Sequence, residues 1–141
     1  MSKSVVKIED MVGIIKGFYP SLQGIYLFGS YQTDREWPDS DVDVAILFPP
    51  DIAAKETNLV FSDCKFKLEE FLKKDVDLIN LRLASTVFQF QIVTTGRLIL
   101  SSDQRAVAEF EMLTLSYYQK LNEERSGILQ EFYKTGKAYN V

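Results

Sequence analysis

Two aspartates flank one valine in Asp41-Val42-Asp43, and the residues that follow, from Val44 to Phe48, have the composition of a buried strand. Alternate residues of a strand share a face, so the two carboxylates stand side by side. Like charges held that close are unfavourable in a partly buried place unless something positive lies between them. Two readings of the pair stay open on this spacing: a solvated strand start, or a site for a divalent cation. Mg2+ suits the second, because it takes one or two carboxylates and completes its shell with water and phosphate oxygens. Two such ions about 3.5–4 Å apart can clamp the attacking and leaving oxygens of an in-line displacement. Upstream, Gly29-Ser30 closes the run GIYLF. A glycine at a strand end permits a sharp turn and a close backbone approach, and backbone amides beside a hydroxyl attract phosphate oxygens. Taken alone, the Gly-Ser pair is more simply a strand-ending turn. A third acid comes from DVDLINL, where Asp75 and Asp77 flank Val76. If this strand lies beside the Asp41–Phe48 strand, one of them reaches the same cation. Asp77, embedded between Val76 and Leu78, is the better candidate; Asp75 follows Lys73-Lys74 and reads as solvated.

The composition limits the chemistry available to these residues. Histidine is absent from the 141-residue chain and Cys64 is its one cysteine. That excludes His-based triads, Cys-His pairs, an internal disulfide and the usual transition-metal sites. Carboxylates, hydroxyls, Lys, Arg and hard cations remain. A net charge of -4 argues against sequence-independent binding to nucleic acid, which needs a basic face, although a small basic patch stays open. No apolar run approaches the roughly 20 residues of a membrane span. The beginning MSKSVVKIED lacks the apolar stretch of a signal peptide. A cytoplasmic protein is expected.

The elements that must position the acids follow from periodicity. Val5, Ile8, Val12 and Ile15 set an amphipathic helix that ends at Tyr19-Pro20. Strands are expected over Gly24 to Phe28 and Asp41 to Phe48, the second stopped by Pro49-Pro50, with a polar excursion over 31–40 between them. A helix is expected over Thr57 to Lys74, carrying Phe61, Cys64, Leu68 and Phe71 at helical spacing. Asp75 to Leu81 is a third strand, Ser85 to Thr95 a helix stopped by Gly96, and Arg97 to Leu100 a short strand. A long helical pattern from Asp103 loosens at Ser126-Gly127 and resumes through Phe132. The order α-β-β-α-β-α-β-α indicates one α/β domain of helices on a small mixed sheet, with a core over about 5–100 and C-terminal helices over about 103–137.

Gly29-Ser30, Asp41-Val42-Asp43 within PDSDVDVAIL, and the strand acid Asp77 together resemble the nucleotidyltransferase signature of the DNA polymerase β superfamily. The short length resembles its minimal nucleotidyltransferases, the MNT antitoxins that pair with HEPN toxins in type VII toxin–antitoxin systems. The resemblance covers about residues 5–100. It implies a polymerase β-like fold, with Gly29 and Ser30 holding the triphosphate of ATP and with Asp41, Asp43 and Asp77 as catalytic ligands of two Mg2+ ions. A hydroxyl would attack the α-phosphate and take AMP, the acceptor being a tyrosine of a HEPN ribonuclease toxin that is thereby silenced. The chain departs from related sequences just after Ser30, where an Arg- and Gly-rich segment is common and YQTDREWPDS stands instead; Arg35 is the candidate phosphate contact there. Two alternatives remain: a transferase acting on a small molecule or an RNA end, and an antitoxin that neutralises its toxin by binding alone.

Other residues have plainer readings. Cys64 is expected as core filler, Arg82 and Arg97 as surface charges, and Trp37 as loop packing as readily as a base-stacking ring. The first tyrosines among Tyr117, Tyr118, Tyr133 and Tyr139 are expected to pack the last helices or a partner rather than accept AMP themselves. A toxin is expected to dock on exposed apolar residues away from the acids, the C-terminal helix being the first candidate.

Overall fold

The computed structural model describes residues 3–29 and 41–135, with side chains described for 7–29 and 41–127. Among the described residues the four strands and four of the helices follow the expected order, and α2 is additional: α1 Lys3–Phe18, β1 Gly24–Phe28, β2 Val42–Leu47, α2 Pro50–Ala53, α3 Asp63–Leu72, β3 Val76–Asn80, α4 Thr86–Thr95, β4 Arg97–Ser101 and α5 Gln104–Thr135. Two 3-10 turns, Leu59–Phe61 and Leu81–Leu83, precede α3 and α4. The sheet order is β3-β2-β1-β4. β1 pairs antiparallel with β2 and β4, whereas β2 and β3 are parallel, so the sheet is mixed.

β2 is central and has cores on both faces. Val42, Val44 and Ile46 are fully buried with Met11 and Ile15 of α1 and with Cys64 and Leu68 of α3. Ala45 and Leu47 are buried on the opposite face with Ile92 of α4 and Val107 and Phe110 of α5. That face is acidic only at its start, at Asp43. A strand covered on both sides reads as a nearly continuous apolar run, which explains VAILF.

Three elements differ from their expected form. Pro49-Pro50 stops β2 but also starts a helix, because Pro50 supplies a helical φ and lacks only an N–H that the first turn leaves unused. α3 begins at Asp63 rather than Thr57: the Ser62 hydroxyl accepts the Lys65 N–H at 3.2 Å and fixes the N-cap. Phe61 consequently lies outside the helix and is 76% exposed. α5 runs unbroken through Ser126-Gly127, since a helix tolerates a glycine at a cost of about 1 kcal/mol.

Arg82 is not a surface charge. It is half-buried in the turn after β3, where its Nε donates to the Phe48 carbonyl and its Nη2 donates to Gln23 Oε1 at 2.7 Å. Its guanidinium lies 5.5 Å from the Phe110 ring. It thus ties the end of β2, the entry to β1 and α5 together. Cys64 is buried as expected, and burial pushes its thiol up to about 12.

Candidate active site

The acids meet because of strand register. In the parallel ladder Asp43 stands opposite Asp77, and in the antiparallel ladder Phe28 stands opposite Asp43. The three side chains therefore share one face at successive strands, spaced about 4.8 Å. The register is pinned from both sides. The Val42 N–H donates to the Asp75 carbonyl at 2.8 Å. The Glu69 carboxylate of α3 accepts the Val76 N–H at 3.0 Å, and Lys65 holds that carboxylate at 2.9 Å.

The sequence favours Asp77 over Asp75 because it sits between two apolar residues. The structure keeps Asp77 beside Asp43 but for another reason: its side chain is exposed, and only Val76 and Leu78 turn inward. Register, not burial, distinguishes it from Asp75, which contributes its backbone carbonyl to β2.

Asp43 carries the strain of the arrangement. Its carboxyl is raised from 3.8 to about 6, first by burial, then by the charges of Asp77 and Asp41, and by a side-chain hydrogen bond with Asp77. Acids crowded in this way favour a positive charge between them, which is where the sequence anticipates a cation. Asp41 is exposed at the entry to β2 and acts on Asp43 through its charge. Among the described residues, no three Asp, Glu, Cys or His side chains converge into a preformed metal cluster. The set nevertheless fits a hard cation: it is all oxygen, two of its acids are in register, and the raised Asp43 has most to gain from a positive neighbour. Mg2+ takes just such a partial protein shell and draws its remaining ligands from water and substrate phosphates.

Gly29 is required here on two counts. Its φ is +77°, a conformation disfavoured for residues with a Cβ. A Cβ added to it would also lie closer than 3.0 Å to Asp43 Oδ2. The strand-ending turn and the acid site are thus one device, in which the missing side chain makes room for the carboxylate. Ser30, Arg35 and Trp37 lie outside the described residues.

Two residues of this neighbourhood escape a reading of the sequence. Phe28 packs edge-on against Phe88 of α4, with centroids 5.6 Å apart and planes at 82°. The pair joins the site's strand to α4. Phe28 carries a signal only in retrospect, since it precedes Gly29 at even spacing from the buried Tyr26. Of the tyrosines, Tyr118 stacks on Phe90 at 3.7 Å, as expected of a packing residue, while Tyr117 is exposed.

The chain is similar to known proteins. Residues 13–105 match the polymerase beta nucleotidyltransferase family. The chain is 36% identical over 123 residues to the protein adenylyltransferase MntA of Shewanella oneidensis, an alignment covering 87% of this chain and 85% of that protein. A solved toxin–antitoxin structure with AMP-PNP superposes with a TM-score of 0.68 at 35% identity, covering 89% of this chain and 98% of the other. A tri-AMPylated HEPN toxin of Shewanella oneidensis in complex with its MNT antitoxin contains a chain that superposes with a TM-score of 0.64 at 32% identity, covering 91% and 97%.

Proposed function

Since the chain belongs to the polymerase beta nucleotidyltransferase family, in its MntA-like branch, we propose that it transfers AMP from ATP to a tyrosine hydroxyl of a HEPN toxin and so neutralises that toxin. The observation that carries this reading is the in-register Asp43–Asp77 pair beside Gly29. It is supported by the adenylyltransferase activity named for MntA, and by the AMP-PNP and AMPylated-toxin complexes of structurally similar chains.

In this mechanism Gly29 and Ser30 would hold the triphosphate. Asp41 and Asp43 would hold both Mg2+ ions, with Asp77 completing the set on the acceptor's side. Bound there, the ions would neutralise phosphate charge and align the reacting oxygens. Asp77 is exposed and accepts the hydrogen bond of the incoming hydroxyl. The acceptor oxygen bonds to the α-phosphorus as the bond to the bridging β-phosphate oxygen breaks. Pyrophosphate leaves with that electron pair, and the hydroxyl proton passes to Asp77 and on to water. Positioning and charge neutralisation supply most of such a reaction, so each acid is expected to matter severely. No helix of the described residues is long and apolar enough to cross a membrane.

The test is the intact mass of a purified HEPN partner protein after incubation with this chain, ATP and Mg2+. A gain of one or more AMP units with the wild type, absent with the Asp41→Asn, Asp43→Asn double variant, is the expected result. An unchanged mass with the two proteins co-eluting would leave neutralisation by binding alone.

A further inference from the structure

β3 is an edge of the sheet and carries Asp77. Two residues along the strand, on the same face and roughly 7 Å away, is Ile79. Ile79 lines a cavity of about 300 Å3 together with Leu59 and Val60 on one side and Leu83 and Phe88 on the other. Its rim is apolar well beyond what a monomer's surface needs. Val60 is 59% and Leu83 54% exposed; Phe61 beside Val60 and Val87 beside Phe88 are exposed too. At the far end, Asn80 donates from Nδ2 to the Ala53 and Glu56 carbonyls, at 3.0 and 2.9 Å. That fixes the orientation of its amide and leaves Oδ1 buried without a hydrogen-bond partner.

These features point one way. The acceptor hydroxyl has to reach Asp77, which is exposed on the edge strand β3. The apolar cavity lies along the same edge strand, and its lining residue Ile79 stands two residues from Asp77 on the same face. A contiguous apolar rim around a concave site marks a place where another molecule is seated. Resting on the transferase reading above, we propose that this cavity and its rim are the acceptor-docking surface. They take an apolar side chain of the toxin segment that carries the modified hydroxyl, and thereby determine which protein is modified. The acidic cluster can then stay free of acceptor-specific contacts, and selectivity resides in a pocket beside it. Leu83 is the central specificity residue, since it lines the cavity and is more than half exposed.

The experiment uses the full chain and its purified HEPN partner, with Leu83→Glu and Val60→Glu and with Lys16→Glu on α1 as a surface control. The KM for toxin is expected to rise about tenfold or more in the Leu83 and Val60 variants, with the KM for ATP and the unfolding temperature close to wild type. The control should leave all three unchanged. A photo-crosslinking phenylalanine at position 83 is expected to label the toxin peptide that contains the modified residue, and this readout does not depend on turnover. Unchanged toxin KM with a crosslink elsewhere would overturn the docking surface while transfer by the wild type still stood. A rise in the KM for ATP instead would assign the cavity to the nucleotide, and crosslinking to a second copy of this chain would assign it to self-association; either overturns the proposal. Absence of transfer by the wild type would refute the transferase reading, and the crosslink would still decide whether the toxin sits on this surface.

Discussion

Replacing Asp43 by Asn should make the metal-free protein more stable while abolishing transfer. Asp43 has a folded-state value of about 6 against an ordinary 3.8. At 1.36 kcal/mol per unit, a shift of about 2 units corresponds to about 3 kcal/mol, and screening by solvent at a half-buried site reduces this to about 1–2 kcal/mol. The sign follows from proton linkage. A carboxyl whose value is raised on folding binds its proton more tightly in the native state. The native state is therefore penalised increasingly as pH rises from about 4 to about 6, and fully above that. The asparagine side chain carries no charge and can keep a hydrogen bond to Asp77, so the variant lacks this pH-dependent loss. Urea unfolding in chelator, at pH 4.5 and pH 8, reads the effect as a difference between wild type and variant, which cancels the other titrating groups. The variant should be more stable at pH 8 by about 1–2 kcal/mol, with the gap narrowing at pH 4.5. Excess Mg2+ should stabilise the wild type, through binding to the native state, more than the variant. A variant less stable than wild type at pH 8 in chelator, or a gap that does not change with pH, would refute the claim that like-charge crowding strains this site.

Gly29→Ala should lose about 1–2 kcal/mol from its left-handed φ alone, and transfer should fall further because the methyl displaces the Asp43 carboxylate. Thermal unfolding and single-turnover transfer measured together separate the two effects. Arg82→Ala should destabilise the fold by about 1–3 kcal/mol through loss of its bonds to Phe48 and Gln23. Its kcat at a temperature where it is folded should stay near wild type, a split that denaturation and kinetics would show. Cys64, buried and with its thiol held up to about 12, should react with a disulfide reagent at neutral pH only as fast as the chain opens. Rapid labelling of native protein would contradict its placement in the core.

Most elements are legible in the sequence because their signals are local. The stripe of α1, the GIYLF strand, the N-cap Ser85 and the run after Asp41 each depend on neighbours a few residues away. Signals that depend on tertiary context mislead. Phe61 fits a helical stripe by spacing, yet Ser62 captures the N-cap and leaves Phe61 exposed. Arg82 reads as a surface charge because nothing local announces the Phe48 carbonyl, Gln23 and Phe110, which come from three distant elements. In the candidate site the acids of β2 and β3 can be picked out by spacing and resemblance. Their direct opposition, the fit of Gly29 against Asp43, and the Phe28–Phe88 wall are matters of register and packing that appear only in three dimensions.

The parallel pairing of β2 with β3 has a consequence in time. A hairpin can form beside its own turn, but two parallel strands come together only after the segment between them, including α3, has folded back across the sheet. Pairings of this kind pay their loop-closure cost before any contact rewards it and are slow. Asp43 and Asp77 sit on just these two strands, so no early hairpin and no isolated helix brings them together. The capacity to react is consequently among the last properties the chain acquires as it folds. A one-residue slip of β3 would put Val76 or Leu78 opposite Asp43 and leave a protein without chemistry, so activity itself reports that the strands have paired correctly.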